Sequence, residues 1–209
     1  MRLAYTGAGF VAGVATLLLA GTAQAQFPLS IVAGPTIANI SSDEYDTSSK
    51  VGFFVALGTA FPINETFSIS PFVGYVQKGA KFKGTENADD GEDTYSYIEI
   101  PVFITAGFPV SETINFGVGL GPQISFNMKC NESIPGEDDF DCKDYQDYVG
   151  STDFGIVGSA GLQFPMGSSQ IGVGGGFDFG MKDIFEDFEG GYKNRGFYLY
   201  VSYGMVLGG

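Results

Sequence analysis

The sixteen residues Thr113–Met128 (TINFGVGLGPQISFNM) alternate without a break. Ile114, Phe116, Val118, Leu120, Pro122, Ile124, Phe126 and Met128 fall on one side, and Asn115, Gly117, Gly119, Gly121, Gln123, Ser125 and Asn127 on the other. Successive side chains of a strand point to opposite faces, so the segment has one wholly apolar face and one small, uncharged polar face. A soluble strand averages ~5–6 residues, whereas crossing a bilayer at a tilt takes ~9–11. The segment suits the second task.

From Phe27 the chain repeats a cycle of long strand, short link, long strand, polar loop. Strands are predicted near 27–40, 51–61, 67–81, 95–108, 113–128, 151–164, 170–182 and 195–207, the first two placed mainly by counting. Three short links are alike, beginning Phe61-Pro62, Phe108-Pro109 and Phe164-Pro165. Proline fixes φ and lacks an N–H, so it is expected where ladder pairing stops, and an aromatic beside it suits a membrane–water interface. Their recurrence at every second connection places them on one rim. The other four connections, 41–50, 83–94, 129–150 and 183–194, carry 19 of the 24 acidic residues. Charge has been cleared from the strands and collected at one end, as in a transmembrane barrel with short turns on one side and longer loops on the other.

A soluble eight-stranded carrier would turn its bulky side inward and need charged groups on its outer side. Here the second face is Gly, Ser, Asn and Gln, which suits a crowded lumen, while the bulky face suits lipid. Closure leaves no unpaired strand edge in hydrocarbon. The expected fold is therefore all-β, an eight-stranded antiparallel up-and-down transmembrane β-barrel whose lumen is filled by side chains. Lumen charges should pair, because an unpaired buried charge is costly. Alternation puts Lys78 and Glu99 inside. Aligning the third and fourth strands at Phe67 and Phe108 sets Lys78 beside Tyr97, one diagonal step from Glu99, and predicts a structural Lys78–Glu99 contact. Asp178 is a further lumen carboxylate, expected near Arg195 or Lys182.

The N-terminus reads as an export signal. Arg2 is followed by the apolar stretch Ala8–Ala20 and by Ala23-Gln24-Ala25, a small-residue cleavage site. An uncleaved anchor is the alternative reading. The expected organisation is a signal peptide over 1–25 and a barrel domain over 26–209. With 24 acids against 10 bases the chain would be repelled by nucleic-acid phosphates. No nucleic-acid partner is expected.

Tyr75-Val76-Gln77-Lys78-Gly79 and Tyr97-Ile98-Glu99-Ile100-Pro101 resemble the Y-x-Q-K-G and Y-L-E-I-P signatures of the PorT-like outer-membrane β-barrel family. Asp153-Phe154-Gly155, with Gly158 and Gly161, and Asn194-Arg195 resemble its final hairpins. The resemblance covers nearly the whole of residues 26–209. It implies an outer-membrane location in a Gram-negative-type envelope, with outer-membrane lipid, the barrel-assembly machinery and envelope or secretion proteins as partners. It carries over no catalytic residue. Barrels of this kind commonly end on an aromatic that the assembly machinery recognises, where this chain reads Gly204-Met205-Val206-Leu207-Gly208-Gly209.

Cys130 and Cys142 flank NESIPGEDDFD in the longest loop. Two cysteines in one loop of an exported chain read as a disulfide, with two free thiols as the alternative; the closed ring is worth ~3 kcal/mol in the loop-entropy account. Asp153-Phe154-Gly155 lacks the other kinase elements. The Gly-x-Gly runs at Gly117 and Gly172 lie within strands with no helix following, unlike a dinucleotide fingerprint. The chain has no His, so a Ser-His-Asp hydrolase and a His-containing metal site are excluded. Asp89-Asp90-Gly91-Glu92-Asp93 lacks the complete calcium-loop pattern and reads as a solvated loop. No catalysis, cofactor or metal is expected. The leading expectation is an integral outer-membrane barrel with a structural, envelope-integrity or adhesion role through acidic external loops. A narrow channel or secretion-associated component is the second reading, and a soluble secreted carrier the third.

Overall fold

The computed structural model describes residues 27–41, 47–82, 90–136, 139–142, 149–185 and 191–207. The segment read as a signal peptide lies outside them, as do many of the loop acids, Asp43, Glu86, Asp144 and Glu189 among them. Eight long strands make the barrel: β1 (Phe27–Ser41), β2 (Thr47–Thr59), β4 (Phe67–Phe82), β5 (Gly91–Ser111), β6 (Ile114–Ser133), β8 (Thr152–Met166), β9 (Ser169–Gly180) and β10 (Lys193–Leu207). Two-residue strands β3 (Phe61–Pro62) and β7 (Phe140–Asp141) add to the edges of β4 and β6. Every long strand pairs antiparallel with its sequence neighbour, and β1 also pairs with β10, so the sheet closes.

The faces follow the alternation. On β6, Leu120 is 55% exposed and Met128 57%, whereas Gln123 is 4% and Ser125 0%. The same outward series recurs as Val51, Phe53, Val55 and Leu57 on β2 and as Phe197, Leu199 and Val201 on β10. A continuous exposed apolar belt of this size matches lipid, not water. Strand β2 also alternates, but Phe54 adds bulk to its inner side, where it packs edge-on against Tyr198 with ring centroids 5.4 Å apart. That inward aromatic hid the pattern in the sequence.

Two expectations are corrected. Two of the Phe-Pro links do not end their ladders: Pro109 pairs with Asn115 and Pro165 with Gln170, each followed by one more pair, whereas Pro62, paired with Ser68, is the last rung of its ladder. A proline need only lack a donor where its N would face away from the partner, and an irregularity between Pro109 and Ser111 absorbs the misfit. The reversals follow just beyond. Asn64 Oδ1 accepts from the N–H groups of Thr66 and Phe67 at 2.9 and 2.8 Å, and Gly167 turns the β8–β9 link at φ 65°, a conformation that side chains disfavour. At the other end β5 and β6 run past their predicted limits, so Glu92, Asp93 and Glu132 belong to a hairpin that projects beyond the apolar belt, not to a loop.

Candidate functional site

The inward side chains divide the lumen into three levels. At mid-height stands an ion cluster. Lys78 Nζ lies 2.5 Å from Glu99 Oε1 and is also paired with Asp178 Oδ2. Gln123 Nε2 donates to Asp178 Oδ1 at 2.6 Å, and Ser125 Oγ donates to Glu99 Oε1 at 2.8 Å. Lys78 also lies over the Tyr97 ring, 5.5 Å from its centroid. Asn194, fully buried, donates through Nδ2 to Asp153 Oδ2 at 2.9 Å and to Tyr97 OH at 3.2 Å. Lys78, Tyr97, Glu99, Asp153 and Asn194, all within the family-like motifs and scattered over four strands, thus meet in one interior network.

The register differs from the one read in the sequence. Phe67 pairs with Ala106, so Lys78 stands opposite Tyr95, and Val76 opposite Tyr97. A slip of two residues leaves every side chain on its original face, because the strand period is two. The long Lys78 side chain then reaches along the lumen to Glu99. The placing of Asp178 near Arg195 or Lys182 is overturned. Arg195 pairs with Phe179 on the outer face, donating from Nη1 to Gly180 O at 2.6 Å with its guanidinium 5.1 Å from the Phe179 ring centroid. Lys182 Nζ reaches Thr152 Oγ1 at 3.4 Å.

Towards the acidic rim the lumen is stopped by a plug. Ile40, Val76, Ala80, Tyr95, Tyr97, Cys130, Cys142 and Ile184 form one buried apolar cluster, with Phe54, Val149 and Tyr192 against it. Cys130 and Cys142 are joined as a disulfide, which ties the chain after β6 back onto that strand. Gly150 N donates to Ile184 O at 2.7 Å and Ile184 N to Tyr192 O at 2.8 Å, which knits two further connections over the mouth. Burying this apolar surface contributes roughly 25 cal/mol per Å². At the hairpin beyond the belt, Asp93 pairs with Glu132. Burial first, and the facing Glu132 second, push the Asp93 carboxyl up to about 7. Nearby, Lys50 Nζ binds Glu92 Oε1 at 2.5 Å. Among the described residues no cluster of three or more His, Cys, Asp or Glu could hold a metal ion.

Towards the Phe-Pro rim the lumen is not filled, contrary to expectation. A cavity of about 490 Å³ runs from Thr66, Gly107 and Gly117 at that rim to Lys78, Glu99, Gln123 and Asp178. Its walls are small on one side because Ser68, Ser70, Thr105 and Ser159 replace bulk. Across it, Tyr198 and Tyr200 lie down over the glycines of β8 and β9: a Cβ at Gly161 or Gly174 would collide with Tyr200, and one at Gly176 with Tyr198. Tyr198 OH donates to Gly158 O at 2.9 Å. The Gly-rich run is a bed for aromatic rings. Sequence reasoning passed over Gln123 as one more small polar residue; its position between Asp178 and the cavity depends on strands distant in the chain.

Residues 22–186 match the family model described as "Outer membrane protein beta-barrel domain". Among solved structures, Neisserial surface protein A is 15% identical with TM-score 0.49, covering 84% of this chain and 95% of that one. Ail of Yersinia pestis, crystallised with the heparin analogue sucrose octasulfate, is 15% identical with TM-score 0.46, covering 87% and 100%. The N-terminal β-barrel domain of Pseudomonas aeruginosa OprF is 10% identical with TM-score 0.39, covering 87% and 100%. No curated protein sequence matches the chain.

Proposed function

The chain belongs to the outer membrane protein β-barrel domain family and resides in the outer membrane, and from that premise we propose that it is a sealed, non-conducting, non-catalytic barrel. Its role is structural: it anchors acidic external loops that act in envelope integrity or adhesion. The observation that carries this reading is the buried plug at the acidic end, Ile40, Tyr95, Tyr97, Ile184 and the Cys130–Cys142 pair. A plug built on a covalent tie makes a rigid platform. Short turns of such barrels face the periplasm and longer loops the exterior, which orients the acidic rim outwards. Residues 1–25 act as the export signal, removed before the barrel domain, 26–209, is inserted by the assembly machinery. The PorT-like resemblance points to envelope or secretion proteins as partners of the outer rim.

In this reading Lys78, Glu99 and Asp178 are structural, pinning strands together across the lumen. The test is to exchange the acids of residues 137–147 for Asn and Gln in the full chain. Cells should keep the barrel in the outer membrane while detergent sensitivity or surface attachment changes as in a deletion strain. If the exchanged chain restores every phenotype of the deletion strain, the loops are not the functional element.

A further inference from the structure

The periplasmic half of the lumen has features that a purely structural barrel does not need. The cavity is lined from Thr66, Gly107 and Gly117 at the Phe-Pro rim to the ion cluster. That end carries one cation, Lys78, between two carboxylates, Glu99 and Asp178, with side-chain exposures of 5%, 13% and 11%. Acceptors outnumber donors there. Gln123, itself 4% exposed, spends its amide N–H on Asp178, and its Oε1 has no hydrogen-bond partner among the described residues. A buried acceptor without a donor, beside an excess carboxylate, is costly unless something with N–H groups and positive charge completes it. The walls above combine small hydroxyl side chains with aromatic rings. Phe72 and Phe103 meet edge to face with centroids 5.9 Å apart, and Phe54, Tyr198 and Tyr200 line the other side. Aromatic faces attract cations and cover short apolar chains equally well.

We propose that this cavity is a binding site for a small amphipathic ammonium ion, entered from the periplasmic rim. The ammonium head donates to Gln123 Oε1 and to the carboxylates of Glu99 and Asp178, and a short alkyl or aryl tail lies between Phe72, Phe103 and Tyr198. An anion of the same size meets two carboxylates at the end of the cavity, and a neutral alcohol leaves the charge excess in place. The site goes beyond the anchoring role: it reaches the rim opposite the acidic loops, and its occupancy is read separately from the phenotype of those loops, so either assignment can fail alone.

The test uses the full chain in lipid nanodiscs, with hexylammonium, hexanoate and hexanol as probes and the Gln123 side-chain amide resonance as readout. Hexylammonium should shift that resonance saturably, and the other two should bind about tenfold more weakly or worse. Glu99→Gln should weaken hexylammonium about tenfold. Because that change touches a buried pair, a second variant guards against misfolding. A Cβ at Gly107 meets nothing within 4 Å, so Gly107→Phe should fill the entrance while leaving the barrel intact. It should abolish saturable binding with an unchanged circular dichroism spectrum. Equal binding of hexanoate or hexanol, no saturable shift with hexylammonium, or undiminished binding in a folded Gly107→Phe protein would each overturn the assignment.

Discussion

Lys78 and Asp178 are ion-paired across the full width of the barrel: β4 and β9, which carry them, are four strands apart in either direction round the ring. The pair is a crossbar. It ties opposite walls of the cylinder at mid-height, and Glu99, one strand from β4, secures the same ammonium.

Lys78→Met should therefore destabilise the barrel strongly, by ~3–5 kcal/mol, because two carboxylates are left buried without their cation. The triple change Lys78→Met, Glu99→Gln, Asp178→Asn should recover much of that loss, since no net charge then remains in the cluster. Urea unfolding from detergent micelles or bilayers measures both. A single change as mild as the triple one would show that the cluster is well solvated and does not brace the wall.

The disulfide supports the plug by a different route. Its partners are twelve residues apart, and both are almost wholly buried. Cys130→Ser with Cys142→Ser should lower stability by ~3 kcal/mol in the chain-entropy account. It should also raise the rate at which an acid-specific protease cuts at Asp139 and Asp141 while the barrel strands stay protected. Cleavage at the same rate with and without the bond would mean that the bond contributes nothing to the closure.

Asp93 gives the outer hairpin a pH dependence with a definite sign. Its folded pKa, about 7, is raised above the ordinary value of 3.8, so folding favours the protonated acid. That stability is fully present below pH ~4 and is lost as pH rises towards and through 7. The loss is on the order of 4 kcal/mol at most, since a tenfold change in proton affinity corresponds to ~1.4 kcal/mol. Asp93→Asn should remove this part of the pH dependence, leaving the smaller contribution of Glu132, whose carboxyl burial also pushes up. Melting of the wild-type and Asp93→Asn proteins between pH 4 and 8 tests it. Parallel curves would rule Asp93 out as the titrating group.

How far the sequence reached depended on range. The strict alternation from Thr113 to Met128 made the closed barrel and its lipid-facing side legible, because face assignment needs only local parity. Residue register did not follow from parity. Phe67 and Phe108 looked like matching ends, yet the true partner of Phe67 is Ala106. Nor could the sequence say that Asp178 meets Lys78 instead of Arg195, since that depends on which strands face each other across a closed ring. The plug was hidden for the same reason: Ile40, Tyr95 and Ile184 come from three separate segments. The cavity was hidden because small inward residues signal room for side chains and room for a void equally well.

In the proposed reading the Lys78 crossbar and the plug above it together close the lumen. Planar-bilayer recording of the purified full chain at neutral pH tests it most directly. The sealed barrel predicts a flat baseline after insertion has been verified by protease protection, with no discrete current steps at either polarity. Reproducible ohmic single-channel openings from the inserted wild-type protein would contradict it.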